Sequence, residues 1–245
     1  MMSHIEPRSP RTNPAIAKLT RERDLLLIVD GITAVGAIPV KMDEWGIDVL
    51  ITGSQKALML PPGLGFVGVN DRAWKRVDSG SVPAFYNNLK AYRKSIAGFD
   101  TPYTPANVMV KGAQVALHRI KAEGLEAIWA RTASCARATR EAAVVMGFKI
   151  FSADPVDSVT ALTVPAGVDE PKLRKLMRSK HGMQIAGGQD HIKGKVIRIG
   201  HMGYLDKFDA LSAISGLEMS LAEQGYKFNL GAGVAAAHRV LAEQA

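Results

Sequence analysis

The sequence contains a single cysteine, Cys135, in 245 residues. One cysteine excludes an intrachain disulfide and a metal site built from a cysteine cluster, and we expect it to be a small core residue. No apolar run reaches the roughly 18 residues that a membrane-spanning helix needs. The N-terminus has no basic region followed by an apolar core, so no secretory signal is visible. These absences favour a cytoplasmic protein with no membrane partner.

Basic residues outnumber acidic ones, and the formal net charge is +8 at pH 7. Such an excess invites a nucleic-acid or membrane interpretation. However, lysine and arginine are scattered, and their densest stretch, 169–180, also carries Leu173, Leu176 and Met177 at helical spacing. This pattern is typical of a solvated basic helix face, so we expect no nucleic-acid partner. A site for anionic ligands fits the sign of the charge equally well.

Two short apolar runs, Leu25–Val29 and Ile47–Ile51, are typical of strands. The unbroken first run predicts a strand that is buried on both faces of a sheet. The 16 residues 31–46 lie between the runs, which is enough for a crossover between parallel strands. A third strand is predicted over Gly65–Val69, after a Pro-Pro-Gly turn.

The second half of the chain predicts mainly helix over residues 105–148, followed by alternating strands and helices. The alternation consists of a strand over Val159–Val164, a helix over Pro171–Lys180, a strand over Lys195–Ile199 and a helix over Asp206–Gln224. This last helix has an apolar face formed by Leu211, Ile214, Leu217 and Leu221. We therefore predict an α/β protein with two domains, over residues 1–125 and 126–245.

Polar residues follow the first two predicted strands. Asp30 comes directly after the first apolar run, and Lys56 comes a few positions after the second. Because the carboxyl ends of parallel strands form the ligand crevice of an open α/β sheet, both residues should face one cleft. An ion pair between them is an equally simple interpretation of this spacing.

Four ordered motifs resemble those of the class-V, fold type I aminotransferases, of the alanine–glyoxylate and serine–pyruvate type. They are Leu27–Gly36 (LIVDGITAVG), Gly53–Gly63 (GSQKALMLPPG), Thr101–Pro105 (TPYTP), and Gly187–Gln189 with Gly194–Gly203 (GKVIRIGHMG). The resemblance implies part of a large domain with a mostly parallel sheet, plus a smaller C-terminal α/β domain.

The resemblance also implies pyridoxal 5′-phosphate as the cofactor. Lys56 would form the Schiff base with the cofactor aldehyde and would later move a proton between the substrate and the cofactor. That role needs a neutral amine, which burial of the lysine would favour. Asp30 would stabilise the protonated pyridine nitrogen, because an opposite charge close by favours the charged form.

The same resemblance gives roles to four further residues. Ile32 would pack on one face of the cofactor ring, although an ordinary core isoleucine is compatible with its position. Gln55 and Thr104 would hold the cofactor phosphate, with Thr104 reaching across from the partner subunit of a two-fold homodimer. Arg198 would grip the carboxylate of a small amino acid or 2-oxo acid substrate, because a planar guanidinium suits a bidentate contact.

The match to these motifs begins only near Asn13, whereas the family extends far upstream, so we expect an N-terminally truncated chain with little activity of its own. Pro7 stands where the family has a hydroxyl residue that contacts the cofactor. A non-catalytic remnant or partner subunit of such an enzyme is the alternative, and a lyase or desulfurase of the same fold stays open. The glycine pattern at 63–68 leads into a strand instead of a helix, which argues against a dinucleotide site.

Overall fold

The computed structural model describes residues 12–81 and 83–243, and it divides into two compact units. The first unit contains the described residues up to Ile32 together with Val40–Arg119. The second contains Thr33–Pro39 together with the described residues from Ile120 onward. Each unit combines helices with a β-sheet, so the α/β class is confirmed. The domain division after residue 125 stays a prediction.

The first unit contains a three-stranded sheet and four helices, the last of which runs across the unit boundary. In chain order the elements are α1 (Thr12–Glu22), β1 (Ile28–Asp30), β2 (Val49–Gly53), β3 (Gly65–Val69), α2 (Asp71–Ser79), α3 (Leu89–Ala97) and α4 (Asn107–Glu123). The predicted third strand and the helix after it in residues 105–148 are confirmed, whereas α2 and α3 were not predicted. No helix in the described part of the chain is long and apolar enough to cross a membrane.

One face of this sheet is largely open. Strand β1 pairs in parallel with β2, which pairs antiparallel with β3, so Asp30, Ile51 and Val67 point to the same face. On this face, called here the Asp30 face, Ile28 is 48% exposed, Ile51 37% and Val67 46%. The expectation that β1 is buried on both faces is therefore wrong for the described chain, because its core cluster forms around Val29 on the opposite face.

A buried carboxylate fastens the sheet to the helix that follows it. Asp48, at 0% exposure, accepts hydrogen bonds from the Leu27 backbone N–H at 2.8 Å and from Asn70 Nδ2 at 3.0 Å. It also pairs with Arg72 Nη1 at 2.8 Å. Asn70 in turn caps α2 by accepting from the backbone N–H of Ala73. A buried charge with this many partners is fully compensated, and we assign it a structural role.

The described part of the second unit contains a four-stranded sheet, four α-helices and a short 3₁₀ helix, Asp190–Ile192. Its elements are α5 (Leu125–Val145), β4 (Lys149–Ile150), β5 (Val159–Thr163), α6 (Glu170–His181), β6 (Ala186–Gly187), β7 (Val196–Gly200), α7 (Lys207–Glu223) and α8 (Ala232–Ala242). The strands run antiparallel in the order β4-β5-β7-β6. The predicted strands and helices of this region are confirmed to within a few residues, whereas the two-residue strands β4 and β6 were not predicted.

The core of the second unit forms where helices α5, α6, α7 and α8 pack on one another and on the sheet. The apolar face predicted for α7 is buried, with Ile214 and Leu221 at 0% exposure. Glu218, on the same helix, accepts hydrogen bonds from the backbone N–H groups of Gly231 at 3.1 Å and Gly233 at 2.7 Å. Because these amides begin α8, the buried carboxylate caps that helix and fixes it against α7.

Candidate active site

The parallel pairing of β1 and β2 brings the ends of both strands to one edge of the sheet. Asp30 is the last residue of β1 and lies opposite Ile51. The pairing continues for one more hydrogen bond, from the Gly31 backbone N–H to the Ile51 carbonyl at 2.8 Å. Lys56 follows the last residue of β2 by three positions. The geometry that the sequence predicts for Asp30 and Lys56, two parallel strands ending side by side, is therefore present.

Asp30 uses one carboxylate oxygen locally and leaves the other unpaired. Its Oδ1 accepts a hydrogen bond from the backbone N–H of Ile32 at 3.0 Å, which turns the chain away from the sheet. Among the described residues, no group donates to Oδ2 and no cation pairs with this half-buried side chain. The turn therefore orients the carboxylate while one of its oxygens stays available to a ligand.

A buried serine closes the loop that carries Lys56. The hydroxyl of Ser54, at 0% exposure, donates to the Pro61 carbonyl at 2.7 Å and accepts from the Leu64 backbone N–H at 3.2 Å. Its backbone N–H donates to the Leu64 carbonyl at 3.0 Å, and its own carbonyl accepts from the Leu60 N–H at 3.0 Å. These bonds tie the two ends of the loop 54–64, called here the lysine loop, into a closed turn.

Gly53 lies where Ile32 and Gln55 approach the end of β2. A Cβ at Gly53 would lie 2.6 Å from Gln55 Oε1 and 3.1 Å from Ile32 Cδ1. The side chains of these two predicted site residues therefore meet at the sheet edge beside the Asp30 turn. Only glycine leaves room for both in these positions.

The lysine loop also packs on α4, which directly follows the Thr104 turn. A Cβ at Gly112 of α4 would lie 3.0 Å from Leu60 Cδ2, and one at Gly63 would lie 3.5 Å from Met109 Cε. Thr104 itself is exposed in the segment before α4. Its role toward the phosphate of a partner subunit stays a prediction.

Lys56 is exposed, and no acidic side chain of the described residues lies within ion-pair distance of it. The ion pair between Asp30 and Lys56, the simple alternative for this spacing, is therefore absent from the described chain. The described residues do not bury Lys56, because the lysine loop places its side chain at the surface of its unit.

Arg198 belongs to the second unit, on the central part of β7. Its Nε donates to the carbonyl of Gly187 on β6 at 2.9 Å, and the side chain is half-buried. No described residue accepts a hydrogen bond from its two Nη atoms. The guanidinium is thus fixed at one nitrogen, with its forked end available for a carboxylate.

Cys135 lies inside α5 at 3% exposure, as the sequence predicts for a core residue. Burial raises the pKa of its thiol, although the positive charge of Arg131 acts in the opposite direction. Catalytic cysteines need a lowered pKa and access to the substrate. Cys135 therefore does not support the desulfurase alternative.

Three contributors to this geometry were not recognised in the sequence. Ser54 and Gly53 could have been noticed because they lie next to Gln55 and Lys56 in the lysine motif. Gly187 was recognised only as part of a motif, and its carbonyl contact to Arg198 has no local signal because the two residues pair across strands. The contact predicted to be lost at Pro7 lies outside the described residues.

The fold agrees with that of solved aminotransferases. The pyridoxamine–pyruvate aminotransferase from Mesorhizobium loti superposes with a TM-score of 0.88 at 31% identity, over 95% of this chain and 61% of that chain. The ureidoglycine–glyoxylate aminotransferase from Bacillus subtilis superposes with a TM-score of 0.87 at 28% identity, over 93% of this chain and 60% of that chain. The units described above therefore form part of an aminotransferase fold.

The chain belongs to the class-V aminotransferases, since the model of the family Aminotransferase class-V matches residues 11–203. A protein named soluble hydrogenase, small subunit, from a Synechococcus strain is 46% identical over 219 residues, which cover 88% of this chain and 57% of that protein. The serine–glyoxylate aminotransferase of Methylorubrum extorquens is 39% identical over 226 residues, covering 89% of this chain and 56% of that protein. The chain thus spans little more than half the length of these relatives.

Proposed function

We propose that this chain contributes to a pyridoxal-phosphate-dependent transamination between a small amino acid, alanine or serine, and a 2-oxo acid, glyoxylate or pyruvate. The single observation that carries the proposal is the meeting of two parallel strand ends, one bearing a carboxylate with an unpaired oxygen and the other the lysine loop. The serine–glyoxylate and pyridoxamine–pyruvate enzymes among the relatives support the substrate classes.

The residues present fit the cofactor. Three parts of pyridoxal phosphate need a partner: the protonated pyridine nitrogen needs an anion, the aldehyde needs a primary amine, and the ring needs an apolar side chain on its face. Asp30 Oδ2, Lys56 Nζ and Ile32 are groups of these three kinds at one sheet edge, and none of their relevant atoms has a competing partner among the described residues. When bound, pyridoxal phosphate would supply the electron sink that stabilises negative charge at the substrate α-carbon.

Asp30 would hold a proton on the ring nitrogen through its negative charge. The hydrogen bond from Ile32 N–H to Oδ1 would keep the carboxylate from rotating, so that Oδ2 keeps its direction. Orientation fixed before binding costs no reorganisation during the reaction. Asp30 therefore acts as a fixed charge and not as a proton donor.

Lys56 would first attach the cofactor covalently and then act as a base and acid, moving a proton away from and back to carbon atoms of the reacting group. The closed geometry that Ser54 gives to the lysine loop would hold the Lys56 backbone in place while its long side chain swings between these tasks. Gln55, directed toward Gly53, would contact the phosphate, as would Thr104 from the partner subunit of a homodimer.

Arg198 would bind the carboxylate that amino acid and 2-oxo acid substrates have in common. Because the Nε–H of Arg198 already donates to the Gly187 carbonyl, the two Nη groups would form the bidentate contact with the substrate carboxylate. One arginine would therefore serve both halves of a transamination, because the carboxylate is the feature that does not change.

The name of the Synechococcus relative concerns a hydrogenase subunit. However, an iron–sulfur cluster held by several thiolates would need more cysteines than Cys135, the single cysteine of this sequence.

Reductive trapping tests the proposal. Incubation with pyridoxal phosphate, reduction with borohydride and peptide mapping should place the cofactor selectively on Lys56. The Lys56→Ala variant should lose this adduct, whereas Lys75→Ala, which removes an exposed lysine of α2, should retain it. Adducts spread evenly over exposed lysines would contradict a cofactor site.

A second candidate is a non-catalytic remnant or partner subunit of such an enzyme. The open Asp30 face favours it, because exposed Ile28, Ile51 and Val67 form an apolar surface next to the site. In that case the trapped adduct would appear only after a second polypeptide is added. Selective trapping by the purified chain alone supports the catalytic role instead. We place either form in the cytoplasm.

A further inference from the structure

The direction of the Arg198 side chain depends on a very short strand. Among the described residues, the one acceptor of a hydrogen bond from this side chain is the carbonyl of Gly187, in the two-residue strand β6. Strand β6 lies at the edge of the described sheet and pairs with β7, where Ala186 is opposite Arg198 and Gly187 is opposite Ile197. The peptide that carries the Gly187 carbonyl makes one hydrogen bond to β7, from the Gly188 N–H to the Val196 carbonyl at 2.7 Å. Because the strand is so short, contacts outside the ladder also contribute to holding this carbonyl in place.

An ion pair of α6 lies directly against Gly187. A Cβ added to Gly187 would lie 2.7 Å from Glu170 Oε1 and 2.8 Å from Arg174 Nε. Glu170 and Arg174 form a bidentate pair, with Nε donating to Oε1 and Nη2 donating to Oε2 at 3.2 Å. The planar pair therefore forms a flat surface on which the backbone of Gly187 rests, and only glycine permits this approach.

Stability alone does not account for this pair. The Glu170 side chain is 1% exposed, so its charge has been removed from water, whereas that of Arg174 is 36% exposed. Replacing a buried ion pair by apolar side chains of similar size is often neutral or stabilising. What apolar side chains do not provide is a rigid, planar support of fixed direction, since a bidentate guanidinium–carboxylate pair has one preferred geometry.

We propose that Glu170 and Arg174 are positioning residues for Arg198, holding the Gly187 carbonyl so that both Nη atoms of Arg198 point toward a substrate carboxylate. The proposal rests on the carboxylate-binding role given to Arg198 above. Neither Glu170 nor Arg174 has to touch the substrate. Their effect passes through one backbone carbonyl.

The test measures the orientation of Arg198 and ligand binding separately. Hydrogen exchange of the Arg198 Nε–H, followed by ¹⁵N NMR and assigned by its loss in Arg198→Gln, reports the bond to Gly187. Titration with pyruvate reports the carboxylate site. In Glu170→Met/Arg174→Leu we expect a folded protein with unchanged helix content, Nε–H exchange faster by about tenfold or more, and pyruvate affinity weaker by about tenfold, because one charge-assisted hydrogen bond is lost.

Two further variants make the result specific. Gly187→Ala keeps both charges but pushes a Cβ into the pair, so it should produce the same changes in exchange and affinity. Glu141→Gln removes an exposed i,i+4 pair with Arg137 in α5, and it should change neither. If the double variant and Gly187→Ala both fail to fold, the pair has a purely structural role and the proposal is overturned.

The outcomes distinguish the positioning role of Glu170 and Arg174 from the carboxylate-binding role of Arg198. If Arg198→Gln weakens pyruvate binding while the double variant leaves exchange and affinity at their native values, the positioning role is wrong and the carboxylate role of Arg198 stands. If Arg198→Gln leaves pyruvate binding unchanged, the carboxylate role itself fails. Faster exchange together with weaker binding in the double variant and in Gly187→Ala supports the positioning role.

Discussion

Acid should destabilise this protein through one buried histidine. His201 follows β7 at 3% exposure, and its Nε2 lies 2.9 Å from the hydroxyl of Thr160 on β5. Burial lowers the pKa of His201 from its ordinary 6.5 to about 4, and the positive charge of Arg140 contributes in the same direction. The folded protein therefore keeps this imidazole neutral over a range in which the unfolded chain protonates it.

The sign and size of the effect follow from this difference. Above about pH 6.5 neither state carries the proton, and the contribution of His201 to stability is intact. As the pH falls from 6.5 toward 4 only the unfolded state takes up the proton, so stability is lost at about 1.4 kcal/mol for each pH unit. The loss is complete below about pH 4 and amounts to about 3 kcal/mol, a large part of the total for a typical domain.

Urea unfolding followed by circular dichroism at several pH values measures this term, with His201→Gln as the control. Glutamine can still bond to Thr160 but does not titrate, and all other titrating groups are shared, so the difference between the two profiles isolates His201. Between about pH 7 and pH 4 the native protein should lose about 3 kcal/mol more than the variant. Parallel profiles would refute the reasoning.

Two further predictions concern the cap of α8 and the sheet edge. Glu218→Gln should lower the free energy of unfolding by about 2 kcal/mol in urea titrations, because an amide supplies only one acceptor for the N–H groups of Gly231 and Gly233; an unchanged midpoint would contradict the capping role. Gly53→Ala should lower Tm by only about 2–4 °C, since the flexible end of Gln55 can move away. The same variant should weaken pyridoxal phosphate binding several-fold by displacing Gln55, and equal affinity would exclude Gln55 from the phosphate site.

The long elements could be predicted because their patterns repeat. Helix α7 buries Ile214 and Leu221 on the apolar face that the sequence indicates. Helices α2 and α3 are only nine residues long and carry few apolar residues, and they begin at the side-chain caps Asn70 and Asn88. Such caps act together with tertiary packing, so the sequence alone does not distinguish them from loop residues.

The residues of the site could be predicted from the sequence, but the contacts that surround them could not. Asp30 and Lys56 follow apolar runs, which is a local signal, and the parallel pairing needed only a connection of sufficient length. The exposure of Lys56 has no local signal in the sequence, because it depends on what packs against the lysine loop. The charge pattern of residues 169–180 places Glu170 on a solvated basic helix face, yet in the structure it is buried against Gly187.

The most direct measurement of the site is the protonation state of the cofactor ring nitrogen, read from the ¹⁵N shift of pyridine-labelled pyridoxal phosphate. Asp30→Asn keeps Oδ1 as the acceptor for Ile32 N–H and removes only the negative charge. We predict a protonated ring nitrogen in the native protein at mildly alkaline pH and an unprotonated one in Asp30→Asn, with Lys56 trapping retained in both. The same ¹⁵N shift in the two proteins would contradict the pairing of Asp30 with the cofactor.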